Sequence, residues 1–277
     1  MYSGTTIRVK SGRIMGVHQR IDRLARRNLT RRLPDGVVFP AIKDILHFEG
    51  LNGPDGIKRK SPSIDEPWHH INPEDPSDKG ILLLIEDHIH NLSSALSDQN
   101  MERAAFEAAW LAHAVTDGLT PAHHDNLAEK IEELWGKAHH ERDSVRDKAL
   151  IRGVSHVDTL KKNWQYWGSG GIFTAHVMFE WGVATAIASV KFPVSMGANG
   201  NDVIELEKRG FEEMFRESLH KVTALRMYET FGEKGWTREL ATQTTRVLIP
   251  EIVKLVTLSW FQAILCMEGR HNANQNH

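Results

Sequence analysis

Apolar residues recur at three- and four-residue spacing along almost the whole chain, and no stretch alternates with the period of two that a strand requires. That regularity confines the fold to packed helices. Helices are expected at residues 13–32, 81–96, 101–118, 126–148, 173–190, 202–231 and 237–268. The last should kink at Pro250, which removes a backbone donor inside the run. Only residues 34–80 break the pattern. Seven of the ten prolines fall there, at 34, 40, 54, 62, 67, 73 and 76, so the segment reads as loop apart from a short helix near residues 41–48. Loops of this length usually carry function or are disordered, and Trp68, His69 and His70 argue against disorder. The expected architecture is a single all-α domain over residues 1–277, a multi-helix bundle with a long proline-rich, ligand-bearing loop.

Charge and cysteine content narrow the function. With 34 Lys and Arg against 36 Asp and Glu, the formal charge of −2 excludes a globally basic nucleic-acid binder. A local patch remains: residues 1–33 hold nine basic side chains and one acid, net +8, which leaves −10 for the rest. This is either a solvated helix face or a contact for anionic surfaces and phosphate-bearing substrates. No obligate protein partner is evident. The single cysteine, Cys266, can form neither an internal disulfide nor a cysteine zinc cluster. The first fourteen residues lack the apolar run of a signal peptide. The two most apolar stretches are interrupted, by His176 and Glu180 in one and by Pro250, Glu251 and Lys254 in the other. A cytoplasmic protein is expected, with export by an unrecognised route as the alternative.

The 16 histidines supply the chemistry, through their spacing. His113 and Asp117 stand at i and i+4 on one helix face, which Phe106 and Trp110 continue. Pro121 ends or bends that helix, so His123 can turn back toward the same place. Imidazole and carboxylate on one face, with a third ligand after a break, suit a divalent ion. The competing reading is a buried His–Asp hydrogen bond that only satisfies two side chains. His176 and Glu180 repeat the spacing in an apolar run, where a carboxylate is costly unless paired or metal-bound. His139 and Asp143 are a rival pair in a highly charged segment. His18 shares an apolar face with Ile14, Ile21 and Ala25. Asp55, His69 and His70 lie in the loop that Pro54, Pro67 and Pro73 would stiffen. The dipeptide His124–Asp125 leaves a His-Asp-type metal phosphohydrolase as another reading.

Taken in order, His18, Asp55, His70, His113-x3-Asp117-x5-His123 and His176-x3-Glu180, the chain resembles the zinc-dependent phospholipase C and single-strand-specific zinc nuclease family. The most specific part is His-x3-Asp-x3-Pro-x-His, residues 113–123, and the resemblance runs over residues 14–182. It implies a helical bundle with two to three zinc ions and hydrolysis of phosphodiester bonds in a phospholipid or a nucleic acid. Asp55, His70, His113 and Asp117 would hold one ion, and His123, His176 and Glu180 a second. Asp117 would bridge to a third ion held with His18. A hydroxide shared by closely spaced zincs would be the nucleophile. Asp55 would also act in catalysis by orienting or deprotonating the attacking water. His69, His124 and Glu86 are candidates to support the ligands from behind. The chain departs from the family in three respects. It begins Met-Tyr where the family's third zinc uses an N-terminal tryptophan, it shows no export signal, and His123 and His176 are 53 residues apart, a longer gap than usual. A non-catalytic helical protein that binds metal structurally, or a partner, is the alternative of a different class.

Overall fold

The computed structural model describes residues 1–3, 16–62, 68–124, 127–193 and 195–275; Ile14, Pro67, Asp125 and the side chain of His139 lie outside the described part. Among the described residues the regular structure is helical, with one isolated bridge between Ile71 and His124.

The centre is built from α1 (Val17–Thr30), α4 (Gly80–Ser97), α5 (Met101–Gly118) and α14 (Ile249–Gln275), with α2 (Ile42–His47) and α3 (Pro54–Lys60) beside them. Helix α5 can sit in the middle because its alanines, Ala104, Ala105, Ala108, Ala109 and Ala112, are fully buried and let neighbouring backbones approach. Trp260 of α14 fills the space beside them, and its indole donates to the Ala108 carbonyl at 2.9 Å. The segment 238–269 is apolar and long enough to cross a membrane, and 78% of its apolar window is buried within the fold. The buried face of α5 is wider than the sequence suggests: Glu107 is fully buried while Phe106 and Trp110 are half-buried. The His88 ring and the Arg103 guanidinium both reach the Glu107 carboxylate there.

Several predicted helices are shorter in the structure. The 126–148 run divides into α6 (Leu127–Trp135), a 3-10 turn at His139–Glu141 and α7 (Val145–Ala149), with Gly136 at φ +69° closing the first piece. The 202–231 run becomes α10 (Gly200–Arg209), α11 (Phe211–Thr223) and α12 (Met227–Lys234), divided at Gly210 (φ +78°) and Arg226 (φ +47°). At Pro250 a π turn, Thr244–Leu248, links α13 (Arg238–Gln243) to α14, so the missing donor is absorbed by a local change of helix type.

The proline-rich segment is less loop than expected. Pro54 is the first residue of α3 and Asp55 lies in its first turn, where a proline's fixed φ and an acid both favour a helix start. Helix α3 lies directly on the 3-10 turn Gly50–Asn52, and a Cβ on Gly56 would stand 2.1 Å from the Leu51 carbonyl oxygen. No rotamer relieves a clash with backbone, so Gly56→Ala should cost about 1–3 kcal/mol. At about 2–4 °C per kcal/mol for a chain of this size, the loss should be visible in a thermal melt; an unchanged melting temperature would mean that α3 is not held against this turn.

A smaller second core lies outside the bundle. Trp135, Ile151 and Tyr166 pack together, joining α6 to α8 (His156–Trp167) and to the start of α9 (Ile172–Ile187) through Ile172. Lys148 anchors this outer layer to the main body, donating to the carbonyls of Lys58 and Ser61 at the end of α3. The predicted basic helix is α1, and three of its neighbourhood's arginines are committed internally. Arg20 donates to the Ile187 and Val190 carbonyls, Arg26 to those of Phe39 and Pro40, and Arg32 to that of Asn28.

Candidate metal centre

Six separate segments deliver the histidine and carboxylate groups to one place. Helix α5 carries His113 and Asp117 on adjacent turns of its buried face. The chain then turns through Pro121–His123, and the His124 ring donates to the Gly118 carbonyl at 3.0 Å, which folds the turn back on α5. Residues 69–71 lie beside this turn, with the Ile71 amide donating to the His123 carbonyl at 3.1 Å. Helix α1 contributes His18, α9 contributes His176 and Glu180, and α3 contributes Asp55.

The imidazoles share one orientation. Nδ1 of His123 donates to the His69 carbonyl at 2.9 Å and Nδ1 of His176 to the Ala122 carbonyl at 3.2 Å. Nδ1 of His113 faces Glu49 Oε1 at 3.5 Å. The other ring nitrogens therefore point inward. Nε2 of His123 and of His176 lie 3.2 and 3.0 Å from Glu180 Oε1. Asp117 collects three: His113 Nε2 is 3.3 Å from its Oδ2, and His18 and His123 Nε2 are 3.4 and 3.8 Å from its Oδ1. A neutral imidazole that has given its Nδ1 proton to a carbonyl presents a lone pair at Nε2. Lone pairs of nitrogen and carboxylate oxygen facing each other at 3.0–3.8 Å repel unless a cation or proton lies among them.

The donors fit a metal ion. Both ring nitrogens of His18 and of His113, and Asp117 Oδ2, are buried without a hydrogen-bond partner. The His18 and His113 rings stack nearly parallel, 4.0 Å apart. Among the described residues, three sets of donor atoms, each within 4.8 Å of one another, could hold an ion: His123, His176 and Glu180; His18, His113 and Asp117; His69, His70 and His123. Nitrogen and carboxylate donors without thiolate suit a borderline or hard divalent ion.

The electrostatics favour the ligating protonation states. Burial holds His123 down at about 4, against the pull of Asp117, so its ring is neutral at pH 7. Burial, with the charges of His113 and the Met1 amine, also lowers His18. Burial alone would raise Asp117 and Glu180, but the surrounding cations hold both well below the carboxylate range. His113 is the exception. Burial pushes it down, yet Asp117 and Glu49 raise it to about 10, so in the ion-free state it carries a proton where a metal would sit.

The eight sequence-predicted ligands are brought together, but the grouping differs: of the expected sets only His123, His176 and Glu180 stand as a set, and His113 joins His18 and Asp117. His70 stands with His69 and His123, whereas Asp55 approaches His113 Nε2 at 3.8 Å. The rival Asp143 is exposed. Glu86 is exposed too and supports no ligand. The rings are held from behind by Glu49 at His113 and by the carbonyls of His69 and Ala122 at His123 and His176, and Asp22 is buried one turn after His18. Burial and the nearby Glu49 charge raise Asp22 well above the carboxylate range. Lys58 was not expected. Its ammonium lies 2.9 Å from Asp55 Oδ1 and 3.5 Å from Asp117 Oδ2, and although burial alone would lower it, those acids raise it. The Met1 amine, buried, lies 2.7 Å from Asp117 Oδ1 and 3.2 Å from Glu180 Oε1.

Asp55, His69, His70, His123, His176 and Glu180 line a cavity of about 450 Å³, with His18, His113 and Asp117 buried behind them. Its walls are apolar and aromatic where α6, α8 and α9 close over it, through Ile131, Trp135, Tyr166, Trp167 and Phe173. Lys58, Arg59, Arg142 and Lys148 add positive charge around the same space. Asp55 and Lys58 are each about one-fifth exposed, so both can be reached from the cavity. No protein-family model, curated protein or solved structure matches this chain.

Proposed function

We propose that this protein is a zinc-dependent hydrolase of phosphodiester or phosphomonoester bonds, with the His–carboxylate group as its active site. One observation carries the reading: Asp117 is shared by three inward-pointing imidazoles, His18, His113 and His123, and His123 opens with Asp55, His70, His176 and Glu180 onto a cavity bearing four basic side chains. A carboxylate shared in this way is what a site with more than one ion needs. His123, His176 and Glu180 would hold one ion, while His18, His113 and Asp117 would hold another. Asp55 and His70 would complete the set, and a third ion is the finer part of the proposal. When bound, the ions supply Lewis acidity, polarising a phosphoryl oxygen and activating water near neutral pH.

The chain's own residues do the rest. Lys58 and the basic side chains of the cavity draw a phosphate toward the floor and offset its charge. Burial alone would raise Asp55, but Lys58 and His113 hold it below the usual carboxylate range, so it stays ionised and can orient water by accepting its proton in a hydrogen bond. The closing layer of α6–α8 restricts water around the reacting group.

The test is zinc content together with hydrolysis of phosphatidylcholine, single-stranded DNA and RNA, and a nitrophenyl phosphodiester and monoester. The expected result is at least two zinc ions per chain and activity on at least one substrate, abolished by His123→Ala. Metal-free protein, or hydrolysis that survives this substitution, would refute the proposal.

A further inference from the structure

Helix α8 is amphipathic with its faces reversed. Its polar Asn163 and Thr159 point inward: Asn163 exchanges hydrogen bonds with the Ile151 backbone at 2.8 and 3.2 Å, and the Thr159 hydroxyl accepts from the Gly153 amide at 2.9 Å. Tyr166, on the same side, is buried in the small core and lines the cavity. The outward stripe is apolar. Val157, Leu160 and Trp164 follow at three- and four-residue spacing and are 77%, 72% and 71% exposed. Val154, just before the helix, is completely exposed, and Trp167, with Phe173 packed edge-on at 4.7 Å, extends the stripe to the cavity mouth. A globular helix normally places these faces the other way round, and a contiguous exposed apolar stripe marks an interaction surface.

The flanking charge indicates the partner. Arg152 and Lys161 are exposed and Lys162 is half-exposed. The one acid in residues 150–171, Asp158, has its carboxylate turned to the Val154 amide at 2.9 Å. Tryptophan at the edge of an apolar stripe with lysines beside it is the arrangement of helices that lie in a membrane interface, where long cationic side chains reach anionic headgroups. Val154, Val157 and Leu160 project outward, while Trp164 also borders a hollow with Lys130, Glu133, Leu134 and Lys162. We infer that the outer face of α8 docks on an anionic lipid surface, with the cavity mouth beside it. This goes beyond the hydrolase reading and does not need it, because binding can be read without turnover.

The test is co-sedimentation of the full chain with vesicles of phosphatidylcholine alone and of equal parts phosphatidylcholine and phosphatidylserine. The assay reads protein in the pellet and not product. Binding to the mixed vesicles is expected, weaker on phosphatidylcholine and reduced by salt. Exchanging Leu160→Glu and Trp164→Glu together should weaken binding at least about tenfold. Both side chains project into solvent, so the variant should melt at the wild-type temperature. Absence of wild-type binding, or equal binding by the variant, would overturn the inference. So would a wild-type dimer that the same exchange makes monomeric, since the stripe would then belong to a second copy.

Discussion

Replacing Asp117 with asparagine should remove at least one metal ion per chain and reduce hydrolysis by more than the roughly 10–100-fold that loss of a supporting residue costs a metal site. Asparagine keeps the shape and one acceptor but loses the charge. That charge is what the site is organised around. Three imidazoles, Lys58 and the Met1 amine all lie within 3.8 Å of the Asp117 carboxylate, and the side chain is buried. Removing it takes a counter-charge from protonated His113, Lys58 and the Met1 amine, so the ion-free variant should also lose about 3–5 kcal/mol of stability. Glu49→Gln is the control. Glu49 faces His113 from the far side, at Nδ1, and its loss should stay within the 10–100-fold range. Metal analysis and initial rates on both variants check the ordering. An Asp117→Asn protein with wild-type metal content would end the shared-carboxylate reading.

The pairs His113/Asp117 and His176/Glu180 could be found in the sequence because helix periodicity puts i and i+4 side by side before any tertiary structure is known. Pro121 made the return of His123 readable for a similarly local reason. The supports could not be found that way. Glu49 reaches His113 across 64 residues, and the His69 carbonyl reaches His123 across 54, through contacts that exist only once α5, α1 and the 50–52 turn are packed. Lys58 was within reach. Proline density made residues 34–80 look like loop, yet Pro54 followed by Asp55 is a helix start, and a helix there puts Lys58 one turn from Asp55. The divided helices failed on a different point: apolar spacing continues across Gly136, Gly210 and Arg226, so periodicity alone does not register a break made by one residue at positive φ.

Zinc added to chelator-treated protein should raise its melting temperature strongly, and the ion-free protein should be most stable near pH 6.5. At an ion concentration about a thousand times the dissociation constant, one site adds about 4 kcal/mol. For a chain of this size that corresponds to about 8–16 °C per site. Around pH 6.5 the pH dependence of the ion-free protein comes from buried histidines shifted in opposite directions, His113 upward and His123, with His18, His69 and His70, downward. His113 is raised to about 10, so its contribution is complete below pH 6.5 and lost as the pH rises through 10. His123 is lowered to about 4, so as the pH falls from 6.5 the unfolded chain takes up its proton first and stability declines toward pH 4. A melt series in chelator should therefore fall away on both sides. Zinc should remove the alkaline limb, because the ion replaces the His113 proton and that proton is released on binding. Measured proton release with zinc, absent in His113→Gln, would tie the limb to this residue. An alkaline limb unchanged by saturating zinc would mean that His113 is not a ligand, and the ion would then rest on the His123, His176 and Glu180 set alone.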